Sequence, residues 1–177
     1  MSETVIEQDQ TKAVFGIEAD WNGTRVALID FQTGDDTVNK DDGEIVFYTA
    51  AAGSIAEAMR IDNGGKVGIG TATPVTDLDI EGGFAGNLVN KTGAYTATSS
   101  DHVITCDGTS GAFTVTLPAL SGLGGFILYI KKIDSSANAI TVDGNGAENI
   151  DGSATKSIST QYQSITIIAG SSEWHIL

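Results

Sequence analysis

The sequence predicts an all-β protein: a short-strand N-terminal module followed by a C-terminal antiparallel β-sandwich. Three observations lead there. No segment sustains the apolar period of an amphipathic helix. Short runs rich in Val, Ile, Thr and aromatic residues recur between turn residues from one end of the chain to the other. Glycine supplies 22 of 177 residues and proline only 2, so the glycines punctuate short folded elements and do not mark a low-complexity tract.

Taken in order, residues 1–12 are acidic and aperiodic and read as an attachment or disordered arm. VFGIEAD (14–20) runs into Asn22-Gly23, a hairpin signal, and TRVALIDF (24–31) follows it. A polar loop (32–43) leads to EIVFYTA (44–50), a strand by its β-branched and aromatic content. AAAGSIAEAM (50–59) is short, contains Gly53 and reads as a loop. MRID (59–62), KVGIG (66–70) and DLDI (77–80) are short strands broken by Asn63-Gly64-Gly65 and Thr73-Pro74. The module therefore spans 13–83. Residues 84–94 lack alternation and read as a linker. From 95 to 177 about seven strands follow at sandwich-like spacing. In AFTVTLP, Phe113, Val115 and Leu117 share one side and the threonines the other. Glycine-rich strands with small side chains make thin cores, and such sheets bury their apolar faces against other copies, so assembly is expected on physical grounds.

Charge narrows the function. The formal net charge is −14, which argues against nucleic acid as a partner because a phosphate binder needs a basic face. Residues 1–83 carry 5 basic and 16 acidic side chains and residues 84–177 carry 4 and 7, so the acidity sits in the N-terminal module. A single cysteine, Cys106, excludes an intrachain disulfide. The N-terminus lacks the basic and apolar regions of a signal peptide, and no apolar run reaches a membrane span. Synthesis in a cytoplasm without membrane insertion is the expectation.

Motifs for catalysis and cofactors are missing. Aligning Gly43 to the turn glycine of a calcium loop puts Val38 and Lys40 at ligand positions. Asp143, Asn145, Glu148 and Asp151 form polar text that a hairpin loop explains better than a cation. His102 and His175 stand far apart, without metal-ligand spacing. GIGTAT (68–73) lacks the third glycine of a dinucleotide fingerprint, no glycine precedes Lys66 at P-loop spacing, and no nucleophile elbow occurs. The expectation is a non-enzyme with no cofactor, no metal and no catalytic residue. The aromatics Trp21, Tyr95, Tyr162 and Trp174 are candidates for surface contact, but core or intersubunit packing is the favoured reading for each.

The segment MRIDNGGKVGIGTATPVTDLDIEG (59–82) resembles a module of bacteriophage tail fibres and virion spikes. The carrying residues are Met59 to Asp62, Val67 to Thr71, Pro74, and then Leu78, Ile80 and Gly82. TVTLPA (114–119), YIKKIDSSANAITVDGNG (129–146), ENIDG (148–152) and STQYQSITIIAGSSEWHIL (159–177) are similar to a second module of such proteins. The resemblance implies a homotrimeric virion-surface protein that meets another virion protein, capsid or tail adaptor, and a host surface glycan or protein. A capsid decoration trimer that stabilises the shell is the alternative. A polysaccharide depolymerase is a weaker one, because no acid–base carboxylate pair is recognisable. Val67, Gly68, Ile69, Gly70, Leu78 and Ile80 are the candidates for packing at the trimer axis, the two glycines allowing close approach of chains. A tight hairpin within one chain is the other reading of that glycine pair.

Overall fold

The structure is a computed structural model that describes residues 13–33 and 42–177. The arm 1–12 and most of the polar loop, including Val38 and Lys40, lie outside the described residues. About half of the described residues are in strands and none is in a helix. The chain divides into two units, Met1–Phe84 and Ala85–Leu177.

The first unit is a single six-stranded sheet in chain order: β1 (Ala13–Trp21), β2 (Thr24–Thr33), β3 (Gly43–Ala51), β4 (Ser54–Ile61), β5 (Val67–Ile69) and β6 (Leu78–Ile80). Neighbours are antiparallel up to β5, and β6 then runs parallel to β5. Asn22-Gly23 turns β1 into β2 with both residues at positive φ, 51° and 80°, as a hairpin with right-handed strand twist requires. The stretch 50–59, read as a loop, is instead the end of β3, a turn at Ala52-Gly53 and most of β4. Ala52 takes the same left-handed turn geometry (φ 50°), and a register shift between Phe47 and Tyr48 hides the alternation that would mark β4 as a strand.

The second unit holds two sheets. One has the order β13-β12-β10-β8, from β8 (Tyr95–Thr96), β10 (Phe113–Thr116), β12 (Ile140–Asp143) and β13 (Thr155–Ile158). The other has the order β15-β14-β11-β9-β7, from β7 (Leu88–Lys91), β9 (Val103–Cys106), β11 (Ile127–Lys132), β14 (Ser164–Ala169) and β15 (Trp174–Ile176). β7 lies inside the stretch read as a linker.

These sheets are mixed, which corrects the antiparallel expectation. From β7 to β12 the chain changes sheet after every strand, so each strand returns beside its predecessor in the same direction. The result is three successive turns of a coil, with Val89, Ile104 and Ile130 stacked in register. β13, β14 and β15 close it with antiparallel pairs. Val115, Leu117, Ile140, Val142 and Ile158 from one sheet and Ile104, Leu128, Ile130, Ile167 and Trp174 from the other enter one buried cluster. At about 1.5–3 kcal/mol per buried large apolar side chain, that cluster is the main stabilising term of the unit.

A buried ion pair ties its turns together. Lys132 is fully buried, and its Nζ donates to Asp134 Oδ2 at 2.5 Å. Asp134 also accepts from the backbone of Gly108 (2.7 Å) and Ser136 (2.9 Å) and from the Ser136 hydroxyl. The bond from Lys132, then that from Ser136, hold the Asp134 carboxyl well below the usual carboxylate range.

Candidate functional site

Among the described residues the first unit has no comparable interior. Val46 is its one fully buried hydrophobic side chain among the described residues. What it has instead is a sheet with two chemically distinct faces, and the register shows how they arise. Phe15, Phe31, Ile45, Ile61, Val67 and Leu78 lie side by side, one from each strand, in an unbroken apolar row. Two residues along, Ile17, Ile29, Phe47, Met59, Ile69 and Ile80 form a second such row. A two-residue offset keeps side chains on the same face, so all twelve share it. Six adjacent partners, twice over, are apolar without exception, and none of the twelve is fully buried. Ile17 is 56% exposed, Leu78 57% and Ile69 40%.

The opposite face is polar. Between the two apolar rows run Gly16, Asp30, Val46, Arg60, Gly68 and Asp79. Arg60 donates to Glu57 (2.7 Å) and to Glu44 (3.1 Å), and Arg25 pairs with Glu18. The bond to Glu57 raises the Arg60 pKa further, so the guanidinium stays charged. Asp30, 7% exposed, accepts from Gln32 Nε2 at 2.8 Å. An open basin of about 710 Å3 beside Arg60 includes Glu44, Asp62, Asn63, Lys66 and Thr73. Its cations are already engaged, Arg60 by carboxylates and Lys66 by the Pro74 carbonyl.

Among the residues expected at an assembly axis, Val67, Ile69, Leu78 and Ile80 stand on the apolar face. Gly68 is buried on the polar face, where a Cβ would fall 2.5 Å from the Thr71 carbonyl oxygen. Gly70 has φ +74°, and a Cβ would fall 2.9 Å from the Glu81 carbonyl oxygen. Both positions are crowded within the chain, Gly68 by the loop that follows β5 and Gly70 by the residue that follows the parallel strand β6.

Of the four surface-contact aromatics, two are exposed: Trp21 (77%) at the tip of the β1–β2 hairpin and Tyr162 (65%) in a loop at φ 65°. The other two are taken up by the fold. Trp174 is fully buried, edge-on to Phe126 at 6.5 Å, because β15 pairs with β14 and bridges to Ile150. Tyr95 is half-buried under Lys91 Nζ, 3.7 Å from its ring centre, and its hydroxyl donates to Asp101 at 2.9 Å. That bond raises the Tyr95 pKa. Burial pushes the Cys106 thiol up to about 12, an inert thiol at neutral pH.

Among the described residues no cluster of three or more His, Cys, Asp or Glu is placed to hold a metal ion. His175 Nδ1 lies 3.4 Å from Asp151. The sequence reading missed the extent of the apolar face. It singled out β5 and β6, whereas Phe15, Phe31, Ile45 and Phe47 supply the bulk. The alternation in VFGIEAD and EIVFYTA carries the signal, but only the register reveals that the rows align across six strands. No protein-family model matches the chain, and no curated protein matches it.

Proposed function

We propose that this chain is a non-enzymatic structural protein on the surface of a bacteriophage particle, a homotrimeric fibre or spike. The observation that carries the reading is the twelve-residue apolar face on a sheet without an interior. Six strands roughly 4.8 Å apart and two to three side-chain rows deep give a face of roughly 500 Å2 in projection. A contiguous apolar patch of that size lies at the upper end of what soluble monomers leave in water, and such patches often mark interaction sites. Three copies turned about an axis along the strands would close these faces on one another and leave the acidic faces in solvent.

The second unit complements this reading. Its two sheets are read as the layers of a β-sandwich closed over the shared cluster, a head that needs no partner to complete its core. The resemblance of 59–82 and of the C-terminal segments to fibre and spike modules gives the biological setting: a virion surface, with another virion protein at the base. Tyr162, exposed in a loop of this unit, is the candidate for contact with a host glycan or protein. The charge of −14 disfavours nucleic acid.

The test is location on the particle. Gold-labelled antibody against the purified chain should decorate intact particles of the phage that encodes it, at tail or spike positions. Label over the whole shell in hundreds of copies would point to capsid decoration. Label absent from particles while the protein accumulates free in the lysate would contradict the proposal.

A further inference from the structure

The apolar face is not uniform. After two rows of large side chains, the next row toward the β1–β2 hairpin consists of Ala19, Ala27, Thr49 and Ala56. The drop in size opens a hollow of about 330 Å3 among Ile17, Ala19, Ala27, Ile29, Phe47 and Thr49. Its lining is almost wholly apolar. Two residue pairs further on stands Trp21, on the same face as Phe15, Ile17 and Ala19 by strand alternation, opposite Thr24. Its own chain leaves it 77% exposed. The sheet thus presents one large uncovered knob and one unfilled hole next to each other.

We propose that the Trp21 indole of each copy fills the Ala19–Ala27 hollow of a neighbouring copy. This rests on the trimer reading above and adds the contact that fixes which parts meet. Rotation about an axis along the strands leaves every residue at its own height, so a knob can fill only a hole at that height. Trp21 lies two residues beyond Ala19, about 6.6 Å along the strand, within the reach of an indole. The β1–β2 register slips between Ala19 and Asp20, leaving Val26 as a bulge that increases the local twist beside the tip. A tryptophan buries roughly 150–250 Å2, which raises the projected interface well above what the two rows supply alone. A knob from each copy into the next closes as a ring, the pattern a cyclic trimer demands.

The chain has two tryptophans, which makes the test direct. Trp174 is fully buried within its own unit and Trp21 is exposed in the single chain. Acrylamide quenching and light-scattering mass are measured on the same sample of wild-type protein. The expected result is trimer mass with both tryptophans shielded, and quenching of one of the two once dilution dissociates the trimer. Trimer mass with one tryptophan still freely quenched would overturn the inference and leave the trimer reading intact, with Trp21 free for another surface. Monomer mass would overturn the trimer reading and this contact with it. Ala27→Phe, which fills the hollow from its own chain, should expose Trp21 to quencher or raise the dissociation midpoint at least tenfold. No effect on either would also overturn it.

Discussion

Leu78→Ala separates the two roles an apolar residue can have in this protein. Leu78 is the β6 member of the first apolar row, on the side of the sheet away from the hollow, and it is 57% exposed in the single chain. Burying a whole leucine side chain is worth about 1.5–3 kcal/mol, so shielding its exposed share contributes about 1 kcal/mol per copy. In the proposed trimer three copies lose about 3 kcal/mol, roughly a hundredfold in the trimerisation constant. Because that constant scales with the square of the concentration, the midpoint of dissociation should rise roughly tenfold. Thermal or denaturant stability of the dissociated chain should scarcely change, since an exposed side chain is being trimmed. Val46→Ala is the counterpart: fully buried on the other face, it should lower chain stability by about 1–2 kcal/mol and leave the association midpoint where it was. Sedimentation over a concentration series reads both. A Leu78→Ala midpoint within twofold of wild type would refute the assignment of this face to the interface.

Other consequences are as direct. The Asp134 carboxyl is held below its unfolded value, so it stabilises the fold at pH above about 4, and that contribution drains away as pH falls further. Asp134→Asn should therefore flatten the acid limb of an unfolding curve followed by circular dichroism; an unchanged slope would count against the ion pair. Cys106 should resist a thiol reagent at pH 8 in the native protein and react fully once denatured, whereas rapid native labelling would mean that the interior is open. Gly70→Ala combines a positive φ with a clash at the Glu81 carbonyl and should cost about 1–2 kcal/mol, seen as a lower melting temperature; a neutral result would show that β5 and β6 can part freely.

Much of the strand content was legible from period-two alternation and turn chemistry. Asn22-Gly23 marks its hairpin, and the Phe113, Val115, Leu117 spacing marks a half-buried strand. Pairing was not legible, because alternation tells which side a residue faces and says nothing of which strand lies alongside. Sheet changes after each strand therefore looked like an antiparallel sandwich. β7 escaped notice because Leu88 and Val89 are adjacent apolars in a four-residue strand, with no room for a period. Val67, Ile69, Leu78 and Ile80 could be picked out locally, but the rows they belong to run at right angles to the chain. Trp174 reads as an anchor from its type alone, but the long-range bridge to Ile150 that buries it is announced by nothing near it in the sequence.

The central claim is that the six-stranded sheet is finished only by two other copies of itself. Light-scattering mass across micromolar concentrations tests it most directly. The account predicts three times the chain mass of 18.3 kDa, falling on dilution or on Leu78→Ala. A steady 18.3 kDa species that stays soluble at high concentration would contradict it.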